Sequence, residues 1–223
     1  MDVGSHARDL PVLVGAAVTQ SVLAYDHLTG RDPVMRYLVC RFGRPEPFGH
    51  HEEAGLGDNF SALVRYSTAR PCHARSTSVV YAQICRATSG YPSAEKVADL
   101  GAGRLAGLGL PGADADRLVR LAQAQLTGDV ELDLLVGRND RQVREILARY
   151  GVPRCVTDLF LIRRLHRPDM LPAGDPALAR TVRRIWACGS ADKGFGMRWA
   201  PFRTYAAALP WAAVAGGHTT GRE

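Results

Sequence analysis

Apolar positions recur every three to four residues over most of this chain, and that spacing predicts helices. Met35, Leu38, Val39 and Phe42 fall on one face of a helix over 34–42. Phe60, Leu63, Val64 and Ser67 share a register over 60–67, before a break at Thr68-Ala69-Arg70-Pro71-Cys72 and a further helix over 75–87. A short helix over 93–99 runs into a Gly/Leu-rich stretch, 101–110, and then Pro111-Gly112. Leu118, Leu121, Ala122 and Gln125 stripe a helix over 114–127 that Gly128 stops. A helical turn is expected over 132–136, and Asp140 suits the N-cap of a helix over 142–150, with Val143, Ile146 and Leu147 inward. Residues 156–165 are apolar almost throughout and predict a central buried helix. After Asp175, Leu178, Val182 and Ile185 form an inward stripe, with Arg180, Arg183 and Arg184 outward. A loop over 187–197 and an aromatic helix over 199–214 follow. Val12 to Val18 is the strand candidate, inside an irregular arm over 1–30. Helices joined by short turns, with no internal repeat, predict an all-α bundle.

The chain's 223 residues suffice for one or two small domains with a sizeable core. We divide it into an arm (1–30), a helical core (31–214) and a tail (215–223). Its net charge of +6 permits an anionic partner without requiring one. The five cysteines, Cys40, Cys72, Cys85, Cys155 and Cys188, contain no C-x-x-C pair, which argues against a disulfide framework or a zinc site and points to a reducing, cytoplasmic setting. His50-His51 sits in a Pro/Gly loop without further donors, so no metal is expected. The apolar run 10–24 lacks a basic start and is broken by polar residues, so neither a signal peptide nor a membrane span is expected. No heptad stands out, and a monomer is expected.

Three features carry candidate chemistry. Gly174-Asp175-Pro176 has the form of a helix start, with Asp as N-cap and Pro at the first helical position. The plain reading is punctuation; the functional one is a carboxylate at a helix mouth facing a cationic transition state. Gly151-Val152-Pro153 reads as a tight hairpin between helices, either a simple joint or a cradle for a phosphate. Asp158 is a first-turn acid, and Arg163, Arg164, His166 and Arg167 form a basic cluster that complements a helix C-terminus or meets nucleic acid.

The segment Arg149 to Thr181 resembles the core of the helix-hairpin-helix DNA glycosylases, in particular the 3-methyladenine DNA glycosylase II branch. That family has a hairpin L-P-G-I-G-x-W-T-A-D, a helix, and a loop P-x-G-D bearing the catalytic aspartate. Gly151 and Asp158 match the hairpin, and Pro172, Gly174 and Asp175 match the loop, without a gap. The likeness runs from about Asp32 to Trp211. FSALVRYSTARPCHARSTSVVYAQI is similar to the family's F-E-A-L-V-R-x-I-L-G-Q-Q-I-S helix pair, and RWAPFRTYAAALPW to its R-W-x-P-W-R-S-Y-A-x-x-x-x-W ending. This chain departs by having Tyr150 for the hairpin proline, Pro153 for its second glycine, Cys155 for its Trp, and Arg70-Pro71 for the Gln-Gln of the minor-groove loop.

The resemblance implies a two-lobed helical bundle with a cleft between the lobes, double-stranded DNA as partner, and Asp175 as the catalytic residue beside C1′ of a flipped nucleotide. It implies a pocket lined by Tyr66, Trp199 and Tyr205, and DNA contacts from Arg70, Pro71, Gly151, Val152, Pro153 and Arg154. Bifunctional members place a Schiff-base lysine at the position of Cys155, so excision is expected without strand nicking. A monovalent cation at the hairpin is implied; an iron–sulfur cluster is not, since the four-cysteine loop is absent. The expected activity is excision of alkylated purines in base excision repair, in a nucleoid-associated cytoplasmic protein. The alternatives are an inactive, repurposed DNA-binding protein, or an N-glycosidase for a bulky adduct or modified nucleoside.

Overall fold

The computed structural model describes residues 6–49, 57–69, 79–172, 174–186 and 195–215, and of residues 6–18, 177, 195 and 215 the backbone alone. The helices are α1 (His6–Arg31), α2 (Pro33–Phe42), α3 (Asn59–Thr68), α4 (Val79–Ala87), α5 (Ala94–Gly107), α6 (Gly112–Thr127), α7 (Asp140–Arg149), α8 (Arg154–Leu159), α9 (Pro176–Trp186) and α10 (Arg203–Ala215). A 3-10 segment spans Leu132–Gly137, another Phe195–Trp199, and α8 continues as a π-helical stretch over Phe160–Arg164. Among the described residues there is no strand, and the class is all-α. No described helix is long and apolar enough to cross a membrane.

The chain forms two compact units. One comprises Met1–Pro47, Pro168–Leu171 and Ala177–Glu223; the other comprises Phe48–Arg167 and Pro172–Pro176. In the first, α1, α2 and α10 pack on one another. Ala24, Tyr25 and Leu28 of α1, Met35 and Leu38 of α2, and Ala206 to Leu209 of α10 are buried there. In the second, α5 and α6 run along each other, and α3 packs on α8 and its π continuation. Phe60, Leu63 and Val64 meet a buried run of Leu159, Phe160, Leu161 and Ile162 in that core.

Several boundaries differ from the sequence reading for local physical reasons. The expected strand over 12–18 lies within α1. The β preference of Val12, Val14 and Val18 yields to context, because strand propensity mostly reflects fit to a sheet that this chain does not build. The stretch after 99, read as a loop, is the second half of α5, joined across a kink at Gly101 (φ 69°). The N-cap of α7 is Asn139, not Asp140: Asn139 accepts from the Gln142 N–H at 3.0 Å and the Gln142 side chain accepts from the Asn139 N–H at 3.1 Å. The final helix begins at Arg203 instead of 199, because Pro201, in a cis Ala200–Pro201 bond, separates it from the 3-10 segment.

Candidate functional site

Helix α7 ends at the hairpin in a Schellman motif. The Gly151 N–H donates to the Ala148 carbonyl at 2.9 Å and the Val152 N–H to the Leu147 carbonyl at 3.1 Å. Gly151 has φ 75°, a conformation that favours glycine. Pro153, at φ −60°, then opens α8, whose first intrahelical bond runs from the Thr157 N–H to the Pro153 carbonyl at 3.0 Å. Two of the three hairpin residues thus use their N–H groups to close α7, and the third has none.

The two helices are tied by an acid between them. Asp158 is fully buried and accepts from Nε and NH2 of Arg144, both at 3.2 Å, and from Nε of Arg154 at 3.0 Å. Arg144 lies on α7 and Arg154 on α8, so one carboxylate holds the hairpin shut. Arg154, expected at a DNA surface, is 58% exposed while it makes this pair.

The Pro172–Asp175 loop packs against the start of α8. A Cβ on Gly174 would lie 3.4 Å from the Cys155 backbone nitrogen and 3.6 Å from Cγ of Arg154. The Asp175 N–H donates to the Pro172 carbonyl at 3.0 Å, closing a turn, and α9 begins at Pro176 directly after it. The structure therefore brings the acid-bearing loop and the hairpin together, in one unit, around Cys155. The Asp175 side chain is 1% exposed, at the helix end whose dipole favours a negative charge.

The segment leading to this loop is fixed by α10. Arg203 makes a two-pronged pair with Asp169, Nε to Oδ1 at 2.7 Å and NH2 to Oδ2 at 2.9 Å. The Thr204 hydroxyl accepts from the Met170 N–H at 2.9 Å. These anchors sit only a few residues before Pro172.

The three expected pocket aromatics lie in packed interiors. Tyr66 is 2% exposed, on α3 in the second unit. Trp199 is fully buried; its Nε1–H donates to Oδ2 of Asp32 at 3.1 Å, as does that of Trp186, and the two indoles meet edge-on at 5.3 Å. Asp32 also caps α2, accepting from the N–H groups of Val34 at 2.9 Å and Met35 at 3.4 Å. Tyr205 is 2% exposed and meets Tyr25 edge-on at 5.7 Å. Burial, then the Glu46 carboxylate, pushes its phenol up to about 12. Arg70 and Pro71 lie outside the described residues, as do His50 and His51.

The basic cluster binds the protein's own loops. Arg164 donates to the Asn59 side chain at 2.6 Å and the Gly57 carbonyl at 2.9 Å, and Arg167 to the carbonyls of Val136 and Arg138 at 2.9 and 2.7 Å. An open cavity of about 250 Å³ lies beside the end of α7, lined by Asp129, Glu131, Arg138, Arg149 and Tyr150 among others; neither Asp175 nor Cys155 borders it. No group of three or more potential metal ligands occurs among the described residues.

Sequence reasoning missed two arginines of α6. A Cβ on Gly151 would lie 2.9 Å from Cδ of Arg117 and 3.8 Å from NH2 of Arg120. The stem of Arg117 thus crosses the hairpin turn, and the Arg120 guanidinium sits beside it. Their spacing of three residues was the available signal, but nothing in the sequence says that this face meets the hairpin.

No family model matches the sequence. The chain is similar to DNA-3-methyladenine glycosylase 1 of Schizosaccharomyces pombe, 23% identical over 203 residues, which cover 87% of this chain and 88% of that protein. Among solved structures it is similar to the 3-methyladenine DNA glycosylase of the same yeast in complex with abasic DNA, with a TM-score of 0.73, 21% identity, and coverage of 86% of this chain and 96% of that one. It is also similar to a 3-methyladenine DNA glycosylase from Archaeoglobus fulgidus, with a TM-score of 0.66, 19% identity, and coverage of 93% and 76%. A third likeness is to an 8-oxoguanine glycosylase/lyase from Clostridium acetobutylicum in complex with double-stranded DNA, with a TM-score of 0.62, 14% identity, and coverage of 88% and 70%. These likenesses show the fold.

Proposed function

We propose that the chain is a monofunctional DNA N-glycosylase that removes alkylated purines of the 3-methyladenine type, with Asp175 as the catalytic residue. The observation that carries this reading is the seating of the Pro172–Asp175 loop on the start of α8, where Gly174 lies against the backbone of Cys155. The similarity to the yeast enzyme over nearly the whole chain supports it.

The chemistry is as follows. The target nucleotide leaves the stack, and its C1′–N bond breaks with the electron pair going to the base. A methylated purine is already cationic, so it departs neutral and needs no strong acid. The sugar left behind is an oxocarbenium ion. The Asp175 carboxylate stabilises that positive charge and accepts the proton from the water that adds at C1′. Cys155 cannot form an imine with the sugar, so the strand is not cut. The reading includes no cation at the hairpin, because the guanidinium groups of Arg117 and Arg120 beside Gly151 repel one.

At 1% exposure, Asp175 is covered in this state. The enzymatic reading therefore requires its covering groups to move as the nucleotide enters. That burial favours a second reading, a DNA-binding protein that performs no excision. Methylated duplex DNA separates the two. Release of free 3-methyladenine, reduced about a hundredfold or more by Asp175→Asn, is the expected result. Binding without release by the wild type, or release indifferent to Asp175→Asn, overturns the enzymatic reading.

A further inference from the structure

We infer that the hairpin's phosphate contact is made by guanidinium groups from α6, with Arg120 as the principal donor and Arg117 beside it, and not by the backbone of the turn. The inference rests on DNA being the partner and names residues that neither the motif matches nor the fold likeness single out.

The argument begins with what the turn cannot offer. The N–H groups of Gly151 and Val152 are committed to the carbonyls of Ala148 and Leu147, and Pro153 has no N–H. A phosphodiester approaching residues 151–153 finds no free backbone donor there. Arginine side chains occupy the same place. The point where a Gly151 Cβ would stand is 2.9 Å from Cδ of Arg117 and 3.8 Å from NH2 of Arg120. Any larger residue at 151 would push the Arg117 stem aside, so glycine here serves the arginine as well as the turn.

The two arginines differ in what they hold. Arg117 pairs with Asp114 one turn earlier on α6. Arg120 is exposed and makes no hydrogen bond or ion pair with any described residue. The hairpin's remaining basic side chains, Arg144 and Arg154, share Asp158. Four guanidinium groups thus stand against two carboxylates, Asp114 and Asp158, which leaves the neighbourhood positive. A planar fork with several N–H donors suits a phosphate's paired oxygens. Such a contact is blind to sequence and weakens with salt, since each neutralised phosphate releases counterions.

The test measures affinity for a duplex of undamaged sequence by fluorescence anisotropy over a range of NaCl concentrations. Arg120→Gln is expected to weaken binding roughly tenfold and to reduce the slope of log K against log salt by about one. Arg120→Lys should recover most of the slope, because it keeps the charge while losing the fork. Arg141→Gln removes the same charge from the first turn of α7, about 15 Å along the axis from Gly151 and beyond the screening length at physiological salt, and should leave the slope nearly unchanged. Arg120 touches solvent, so thermal melting should show these variants folded. An unchanged slope in Arg120→Gln, an equal loss in Arg141→Gln, or no duplex binding by the wild type overturns the inference. Base release is scored separately. Loss of slope without base release leaves this contact standing and removes the enzymatic reading; release with an unchanged slope does the reverse.

Discussion

Each unit buries an acid completely or nearly so, and the two are held in opposite ways. Asp158 in the second unit is held by charge, through Arg144 and Arg154. Asp32 in the first is held by neutral dipoles: two backbone N–H groups and two indole N–H groups. Intuition ranks the ion pairs as the stronger support. The exposure of the partners reverses that ranking. The Arg144 and Arg154 side chains are 25% and 58% exposed, so they regain water when Asp158 is removed. Trp199 is fully buried, and its N–H has nowhere to turn when Asp32 is removed. A buried carboxylate is as costly to lose as its donors are unable to rehydrate.

The largest effect is expected from Asp32→Ala, which should destabilise the protein by about 3–5 kcal/mol, combining the lost cap of α2 with two stranded indole donors. Urea denaturation measures this, and the near-ultraviolet circular dichroism of Trp186 and Trp199 should collapse with it. A loss below that of Asp158→Ala would break the comparison.

The same unit should also be the one that weakens in alkali. Tyr205 has a folded value of about 12, raised above the ordinary phenol value near 10. The folded chain therefore keeps this proton while the unfolded chain gives it up. The stabilisation is fully present below pH 10 and is lost as pH rises toward 12, by at most about 2–3 kcal/mol. Tyr205→Phe should flatten that part of the stability profile; an unchanged slope would show that Tyr205 does not report on this core.

Asp158→Ala is expected to destabilise by about 2 kcal/mol, the usual penalty for breaking a buried pair being reduced because both guanidinium groups reach solvent. High salt should narrow this difference and leave the Asp32→Ala difference intact. Arg144→Ala should exceed Arg154→Ala, since Arg144 is the less exposed partner.

The smallest effect belongs to Gly174→Ala. Its new methyl would stand at ordinary contact distance, 3.4 Å, from Cys155 N, so stability should change by less than about 1 kcal/mol. Base release is the sharper readout there, because any shift of the loop moves Asp175.

The sequence made some of this legible and concealed the rest for identifiable reasons. The stripe of Leu118, Leu121 and Ala122 marked α6, and Gly128 ends it in the left-handed conformation. The Gly151 hairpin and the helix start after Asp175 were also readable, because their backbone demands are local. What could not be read was where side chains go when several destinations suit them. Trp199 and Tyr205 have the chemistry of a pocket wall, and the structure uses both in a core. Arg164 and Arg167 look like a nucleic-acid face, yet they bind loop carbonyls. Arg154 reads as a phosphate ligand, and its Nε is occupied by Asp158. Arg117 and Arg120 carried no sign of their importance, since only the packing of α6 on the hairpin turn supplies it. Asn139 was the exception among the misses: the Asn-x-x-Gln spacing that fixes α7 was present and outweighed the more familiar Asp.

The π-helical stretch over Phe160–Arg164 has a length consequence. Its wider turn accommodates one residue more than an α-helix would over the same rise. Excising a single residue there would return the segment to ordinary winding and swing everything after it by roughly 100°. Arg164 would then miss Asn59 and Gly57, and a loop more than a hundred positions away in the chain would come untethered. In this protein the count of residues between 160 and 164 acts as a spacer setting, and evolution can tolerate changes of letter there more readily than a change of number.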